Sequence, residues 1–401
     1  MQILNGIKVL DLSQNIAGPF CTQILADMGA DVIKIERPQT GDDTRHWTLH
    51  TWEGVSTVFL AMNRNKKSVA VDIGSEAGVA LITRLAKEAD VFVHAIRPGS
   101  LEKKGLGFES LKRINPRLVY CSISAFGHKG PQSSAPGYDA LLQAYTGIMS
   151  VNGHPEMPPA RVGVSILDQS TGIWAALGVI SALYRRRETG AGALVTASLL
   201  ESGVNWMTLP LTHFMADGTV TQRHGDLTPM SAPYETFKTS DGTVLVAASN
   251  DNLFGNVCDA VGFPELKTDS RFFTNQLRIL PKNRGVLHSL IESKTILLTS
   301  QECVDQMRKF RAPCEMIMSV DQVSINSQVE ALGLIKRIPT TGGSAKQFVD
   351  LPISIDDCRS EFRNYPPNLG ANTFEVFLES GCSPEEIKQL ELTGVIEVNK
   401  D

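Results

Sequence analysis

The chain has 401 residues, of which 42% are hydrophobic and 20% charged, and a formal net charge of −5 at pH 7. This length favours two domains, or one domain with a large insertion, because a single core rarely serves so long a chain. The acidic balance argues against a broad nucleic-acid surface, which needs basic residues to neutralise phosphates. Any anionic ligand must therefore meet a local cluster of basic residues.

The N-terminus and the cysteines bear on location and cofactors. The first residues lack a basic region followed by a long apolar core, so we expect neither secretion nor mitochondrial import. Apolar runs stop short of membrane-spanning length, so no membrane segment is expected. The seven cysteines are scattered and form no CxxC pair. This is typical of reduced thiols in a cytoplasmic protein and argues against a zinc site.

Strand and helix patterns alternate through the first third of the chain. Strands are predicted at residues 7–12, 31–36, 68–72, 90–94 and 118–123, with helices at 17–29, 76–88 and 108–114 between them. Such strand–helix–strand units form parallel sheets, so we predict an α/β fold with a Rossmann-like large domain. The first turn has one glycine and a proline where dinucleotide-binding proteins have GxGxxG. A nicotinamide cofactor is therefore not expected, although Glu36 lies where a ribose-binding acid would be.

The pattern changes after residues 1–215, which we assign to the large domain. A hairpin with an Asp241-Gly242 turn, followed by helices, predicts a smaller α+β domain at residues 225–335. The chain then returns to the large domain at residues 340–401. An irregular stretch at 336–351 leads into this return, which also contains an amphipathic helix at 372–395 that is interrupted at Ser380-Gly381.

Basic residues gather where several predicted strands begin or end. Arg37 follows the second strand, residues 63–67 precede the third, and Arg97, Lys103 and Lys104 follow the fourth. Ligands of open α/β sheets bind at the carboxyl ends of the strands. Three basic loops around one sheet, in a protein that is acidic overall, predict a phosphate-bearing ligand.

Asp168 is the one charged residue in a long apolar segment. Residues 162–166 are rich in β-branched side chains, and the run at 173–184 predicts a buried helix that ends at Gly190. An aspartate before a helix is a common N-cap, which accepts a backbone N–H. It can also stay ionised there and act as a nucleophile. The local pattern is compatible with both roles.

Sequence elements in a fixed order connect the chain to a known family. They are residues 6–12, Ala17-Gly-Pro19, residues 29–38, 41–45 and 63–68, Pro98-Gly99, Gly137-Tyr-Asp139, the Asp168 segment, Tyr234-x-x-Phe237 and residues 370–373. Together they resemble the class III CoA-transferases, the CaiB/BaiF family that includes formyl-CoA transferase. The resemblance implies a homodimer of two chains threaded through each other as interlocked rings. It also implies coenzyme A as a substrate and no permanently bound cofactor.

The resemblance implies roles for individual residues, with Asp168 as the nucleophile. The implied CoA contacts are Ile16, Arg37, Val71, Ala95, Ile96 and Lys103, and the implied substrate contacts are Arg45, Trp47 and Tyr138. Ile16 departs from the family pattern, because formyl-CoA transferase has a glutamine there, near the reacting carbonyl. Arg45 has two interpretations: it binds a second substrate carboxylate, or it forms a loop salt bridge with Asp42 or Asp43.

The implied activity is CoA transfer from an acyl-CoA donor to a small carboxylic acid, through an aspartyl-CoA thioester on Asp168. We expect succinyl-CoA as the donor and a dicarboxylic acid as the acceptor. A 2-methylacyl-CoA racemase is an alternative, but racemases of this fold carry Gly-His-Asp where this chain has Tyr138 in place of the histidine. A non-catalytic acyl-CoA-binding protein is a second alternative, in which Asp168 would be only a helix cap.

Overall fold

The computed structural model describes residues 1–338 and 345–399. Its strands, in chain order, are β1 (Lys8–Leu12), β2 (Asp31–Glu36), β3 (Thr51–Trp52), β4 (Val55–Ser56), β5 (Lys66–Val71), β6 (Val91–His94), β7 (Val119–Ser124), β8 (Ala193–Ser198), β9 (Tyr234–Lys238), β10 (Thr243–Ala247), β11 (Cys314–Met316), β12 (Ile335–Ile338), β13 (Lys346–Val349) and β14 (Ile396–Glu397). Its helices are α1 (Ala17–Asp27), α2 (Thr57–Met62), α3 (Glu76–Ala86), α4 (Phe108–Ile114), α5 (Asp139–Tyr145), α6 (Ile148–Val151), α7 (Ile166–Thr189), α8 (Leu199–Trp206), α9 (Thr208–Asp217), α10 (Asp251–Ala260), α11 (Asn275–Arg278), α12 (Pro281–Thr295), α13 (Ser300–Lys309), α14 (Val320–Ser324), α15 (Ser327–Ala331), α16 (Thr373–Glu379) and α17 (Pro384–Leu392).

The largest sheet has the strand order β14-β5-β2-β1-β6-β7-β8. In this order, each pair of neighbouring strands between β5 and β8 is parallel. Leu10 of β1, for example, lies opposite Ile33 of β2 on one side and Phe92 of β6 on the other. Strand β14 runs antiparallel to β5. The central strands are apolar and buried on both faces, as parallel strands require. The predicted α/β class is confirmed, and the five predicted strands agree with the structure to within two residues at each end.

Helices cover both faces of this sheet. On one face, α1 and α7 pack against each other over a core that includes Leu25. The two helices approach closely at Gly172, where an added Cβ would lie 2.7 Å from the carbonyl oxygen of Ala17. The opposite face carries a second core, which includes Phe92 of β6 and Phe377 of α16. The sheet is therefore doubly wound, as the alternating pattern predicts.

Helix α7 differs from the sequence-based expectation in two ways. Its 24 residues are long and apolar enough to cross a membrane by length and composition alone, whereas no run of that length is expected from the sequence. The pattern also predicts burial on nearly all faces, but Trp174, Leu177 and Tyr184 are exposed in the single chain. The other face of α7 packs on α1, β7 and β8. Gly190 ends the helix in the left-handed conformation, as predicted.

The chain divides into two compact units. The large unit comprises Met1–Ile148, Arg161–Thr212 and Glu330–Asp401, and the smaller unit comprises Met149–Ala160 and His213–Val329. Residues 149–160 thus cluster with the smaller unit, whereas the sequence analysis places them in the large domain. Inside the smaller unit, the antiparallel sheet β11-β10-β9 packs with α10, α12 and α13 around Phe237 and Phe254. The predicted hairpin is confirmed as β9 and β10.

The C-terminal segment adds structure to the large unit. Strands β12 and β13 pair antiparallel inside the stretch that is predicted to be irregular, so that prediction is wrong there. Tertiary contacts explain the difference, because Phe348 of β13 stacks on Trp52 and Lys346 pairs with Glu53. The Gly342-Gly343 pair lies outside the described residues. The predicted interruption at 380–381 is confirmed, since it separates α16 from α17.

Candidate active site

Asp168 lies inside the first turn of α7, which begins at Ile166. The position before the helix is occupied by Ser165, whose side chain makes no capping hydrogen bond. The interpretation of Asp168 as the N-cap is therefore wrong. The structure shows no hydrogen bond or ion pair from its carboxyl oxygens to any other residue that it describes. This half-buried carboxyl group is thus left available to a ligand.

The cap of α7 comes from Asp139, at the start of α5. One oxygen of Asp139, Oδ2, accepts the backbone N–H of Leu167 at 2.7 Å and that of Asp168 at 3.1 Å. These two N–H groups belong to the first turn, where a helix leaves its donors without partners inside the helix. Asp139 is itself buried. The carboxylate that satisfies the helix start is therefore contributed by another element, across 28 residues of sequence.

Gln143 holds Asp139 from one turn further along α5. Its amide nitrogen donates to Oδ1 of Asp139 at 2.6 Å, and its amide oxygen accepts the N–H of Val162 at 2.8 Å. Gln143 is fully buried. The side chains of Asp139 and Gln143, which we call the Asp139–Gln143 bracket, therefore join α5 both to the first turn of α7 and to the segment before it.

The surroundings of Asp168 make its carboxyl group unusually basic. Burial, and next to it the negative charge of Asp139, raise the pKa of Asp168 to about 7. A basic carboxylate without hydrogen-bond donors of its own is a stronger nucleophile than a capped one, whose lone pairs are already engaged. The site therefore combines a basic carboxyl group that caps no helix with a position at the start of a core helix.

Helix geometry places Asp168 near the start of α1. Residues four apart lie on the same face of a helix, so Asp168 is one turn above Gly172, which contacts Ala17 at the start of α1. Ile16 is the residue immediately before α1. A Cβ added at Gly18, inside the first turn of α1, would lie 3.6 Å from Ala95. The structure thus brings the predicted positions Asp168, Ile16 and Ala95 to one edge of the sheet.

The other predicted CoA positions differ in what they expose. Arg37 is exposed, donates to the carbonyl of Gly41 and pairs with Asp43. Lys103 is exposed in the 3₁₀ turn Glu102–Lys104. Val71 is buried at the end of β5, where it pairs with Ile396 of β14.

Ile96 is half-buried just after β6. Its N–H donates to Nδ1 of His94 at 3.2 Å. A ligand contact at Ile96 would therefore involve its side chain or its carbonyl group, because the amide is already engaged. Ala95, its neighbour, is exposed.

Arg45 is committed to a structural contact. Its guanidinium makes two hydrogen bonds to Glu36, at 2.8 and 2.7 Å, and a third to the carbonyl of Pro367 at 3.1 Å. Its Cζ also lies 3.7 Å from the ring centre of Phe59. The interpretation of Arg45 as the partner of Asp42 or Asp43 is therefore wrong, since its partner is Glu36. This geometry leaves little of the guanidinium for a substrate carboxylate.

Trp47 and Tyr138 are exposed at 42% and 65%, respectively, so both aromatic rings are accessible to a ligand. Tyr138 precedes α5 and is the direct neighbour of Asp139. His46 bonds through Nε2 to the carbonyl oxygen of Thr40 at 2.7 Å. Among the described residues, no cluster of three or more metal-ligating side chains is found.

A network of buried charges next to the site was missed by the sequence analysis. Lys66 pairs with Asp11 at 3.0 Å and Lys34 with Asp42 at 2.8 Å, and all four side chains are fully buried. Lys34 also donates to the carbonyl of Ser13 at 2.9 Å, in the turn that leads to α1. The signal that could have found this network is the presence of opposite charges inside strands that are otherwise apolar.

Comparison with known proteins extends these observations to the whole chain. Residues 4–373 match the family model CoA-transferase family III. The chain is 36% identical over 401 residues to succinyl-CoA:glutarate CoA-transferase of Mus musculus, covering 99% of this chain and 91% of that protein. It is also 36% identical over 397 residues to succinyl-CoA–D-citramalate CoA-transferase of Chloroflexus aurantiacus, with 98% of each protein covered.

A solved structure supports the same assignment. The crystal structure of a CaiB/BaiF family protein from Brucella suis matches with a TM-score of 0.85 and 36% identity, covering 94% of this chain and 99% of that one. The fold and the whole-chain matches define an enzyme of the CoA-transferase class. The chain belongs to CoA-transferase family III, which confirms the resemblance found in the sequence. Enzymes of this class use CoA thioesters as substrates.

Proposed function

We propose that this protein transfers CoA from succinyl-CoA to a small dicarboxylic acid, with Asp168 as the nucleophile. The observation that carries the proposal is the carboxyl group of Asp168, which lies at the start of a core helix without capping that helix. The choice of substrates is supported by the names of the relatives, which act on succinyl-CoA with glutarate or D-citramalate. CoA is a substrate here and not a resident cofactor.

The proposed reaction conserves the thioester through covalent intermediates. A carboxylate oxygen of Asp168 attacks the thioester carbonyl, the C–S bond breaks, and CoA leaves as a thiolate beside a mixed anhydride. The thiolate then attacks the Asp168 carboxyl carbon, which releases succinate and forms the aspartyl-CoA thioester. The acceptor acid repeats these steps in reverse and regenerates the Asp168 carboxylate. Backbone N–H groups stabilise the developing oxyanions, and losing one such donor typically costs about 100-fold or more in rate.

The CoA and substrate positions are assigned on the same basis. Arg37 and Lys103, both exposed and basic, are proposed to meet the phosphates of CoA. Ile16, Val71, Ala95 and Ile96 are proposed to contact CoA along the strand ends, and the exposed rings of Trp47 and Tyr138 to line the acyl pocket. We assign Arg45 an indirect role, in which its pair with Glu36 shapes the pocket wall.

We further propose that the protein is a cytoplasmic homodimer that binds neither nucleic acid nor membranes. The exposed apolar side chains of α7 and α8, which include Trp174, Leu177 and Trp206, support an interface between copies. The net charge of −5 is consistent with the absence of a nucleic-acid partner. Sedimentation or light scattering should give twice the chain mass of 43.6 kDa.

The function is tested by incubating the protein with succinyl-CoA and a panel of mono- and dicarboxylic acids, and following new CoA esters by mass spectrometry. Asp168→Ala and Asp168→Asn should abolish transfer, and wild-type protein should carry a CoA adduct on the peptide containing Asp168. Asp321→Asn is a matched control, because Asp321 also lies in the first turn of a helix but is exposed in the smaller unit.

Transfer that survives in either Asp168 variant would contradict the covalent mechanism. Loss of the α-proton of a 2-methylacyl-CoA, without transfer, would indicate a racemase.

A further inference from the structure

The first turn of α7 is capped by the carboxylate of Asp139, although Ser165 occupies the N-cap position itself. Ser165 occupies the N-cap position and serine is among the residues most favoured there, yet its hydroxyl does not cap the helix. Asp139 accepts both N–H groups instead. A serine cap would be neutral, whereas this arrangement places a second carboxylate beside Asp168. The structure thus maintains a repulsion between two carboxylates that a serine cap would avoid.

The contacts of Asp139 define its role further. The carboxyl oxygens of Asp139 act only as acceptors in the hydrogen bonds that the structure describes. The donors are the N–H groups of Leu167 and Asp168 and the amide of Gln143. This acceptor-only pattern fits the ionised carboxylate. The orientation of the Gln143 amide is set on its other side, because its oxygen accepts the N–H of Val162 and its nitrogen also donates to the carbonyl of Val162 at 3.5 Å. Both members of the bracket are buried, so the arrangement is rigid.

We infer that Asp139 is a positioning residue for CoA transfer: it fixes the first turn of α7, aims the Asp168 carboxylate, and makes that carboxylate more reactive through its own negative charge. Gln143 in turn orients Asp139. This inference rests on the proposed function, because it assigns a role relative to Asp168 as nucleophile. A displacement of about 1 Å in a reacting group can cost about 100-fold in rate, so the orientation of this turn is sufficient to control catalysis.

Two variants separate the hydrogen bonds of Asp139 from its charge. Asp139→Asn removes the charge and turns one side-chain oxygen into an N–H₂ group, which then faces the N–H₂ group of Gln143. Asp139→Asn/Gln143→Glu restores acceptors opposite both the introduced amide and the N–H of Val162. The double variant thus restores the contacts of position 143 with position 139 and with the N–H of Val162, and it moves the negative charge from residue 139 to residue 143.

We expect Asp139→Asn to lower kcat by about 10- to 100-fold, with a KM for succinyl-CoA close to that of the wild type. The rate of the wild type should rise with pH through the pKa of Asp168, which is about 7, because the ionised form attacks. Removing the charge of Asp139 should move that midpoint to lower pH. The double variant should recover most of kcat while keeping the lowered midpoint, an outcome that a purely structural role of Asp139 would not produce.

The outcomes distinguish this inference from the proposed function. Wild-type protein without transferase activity would contradict the proposed function itself. Active wild type, with Asp139→Asn unchanged in both kcat and pH midpoint, would overturn the positioning role alone. If Asp139→Asn does not fold, the double variant decides. A folded but inactive double variant contradicts the positioning role of the contacts, and one with the wild-type midpoint contradicts the effect of the charge.

Discussion

Two aspartates of the large unit, the buried Asp11 and the half-buried Asp168, differ in the direction in which their pKa values are shifted. Burial by itself would raise the pKa of Asp11, but Lys66 and Lys34, with hydroxyl donors from Ser13 and Thr22, hold that pKa at about 2. Burial also raises the pKa of Asp168, and its charged neighbour is another carboxylate, so the result is about 7. Desolvation has the same sign at both sites. The neighbouring charges therefore decide which carboxyl group has a lowered pKa and which has a raised one.

The largest expected effect comes from removing Lys66, the cation that pairs with Asp11. Lys66→Met leaves Asp11 buried without its ion-pair partner, and breaking one side of a buried pair typically lowers the free energy of unfolding by about 3–5 kcal/mol. Urea unfolding at pH 7 measures this change. Lys67→Met is the matched control, because the adjacent Lys67 pairs with an exposed Glu375 and should lose under about 1 kcal/mol. Equal losses in the two variants would contradict the comparison.

The raised pKa of Asp168 should lower the free energy of unfolding by an amount that depends on pH. A folded-state pKa of about 7 for Asp168, above the ordinary 3.8, means that the folded protein binds the proton more tightly. Stability from this group therefore falls as pH rises from about 4 to 7. Asp168→Asn should escape this loss and be more stable than the wild type at pH 8, by about 1–3 kcal/mol once partial exposure is allowed for.

Thermal or urea unfolding of both proteins at pH 5 and pH 8 checks this prediction. The advantage of Asp168→Asn should shrink at pH 5, where the wild-type carboxyl group is largely protonated. A difference that is independent of pH would mean that Asp168 is not desolvated in the folded protein.

The smallest expected effect concerns a cation between two carboxylates, in the smaller unit. His288 lies 3.3 Å from Glu235 and 3.3 Å from Glu292, and it stacks on Phe237. The hydrogen bond to Glu235 is the main cause of its raised pKa, while burial opposes it. The stabilisation is therefore fully present below the ordinary pKa of 6.5 and is lost as pH rises through the folded value.

His288→Gln should lower the free energy of unfolding at pH 5.5 by under about 1 kcal/mol, because the pair is partly exposed. The difference from the wild type should vanish at alkaline pH. Chemical unfolding at the two pH values measures it, and a larger loss at pH 9 than at pH 5.5 would reverse the assigned sign.

The alternating strands and helices were predictable because their signal is local. The apolar segments that form β1, β2, β5, β6 and β7 are separated by helical patterns, and the order of motifs identified the family. The local pattern also predicted that a helix begins near Asp168. The capping of this helix was not predictable in that way, because the acceptor is Asp139 and the contact spans 28 residues of sequence.

Charge partners escaped the sequence analysis for the same physical reason. Arg45 has two aspartates nearby in sequence, yet it binds Glu36, which the fold brings opposite its guanidinium. The strands β12 and β13 are likewise stabilised by packing of Phe348 on Trp52 rather than by a regular apolar alternation. Local patterns thus predict the elements, whereas the partners of side chains depend on tertiary structure.

The antiparallel pairing of β14 with β5 has a consequence for biosynthesis. Ile396 lies opposite Val71, so the partner of β5 on this side of the large sheet is synthesised long after β5 itself. At ordinary rates of about 5–20 residues per second, the ribosome needs roughly 15–65 s to synthesise the intervening chain. The smaller unit is mostly contiguous, from His213 to Val329, and can emerge whole before then. During translation, β5 therefore stays an unpaired edge until residues 396–397 have been synthesised.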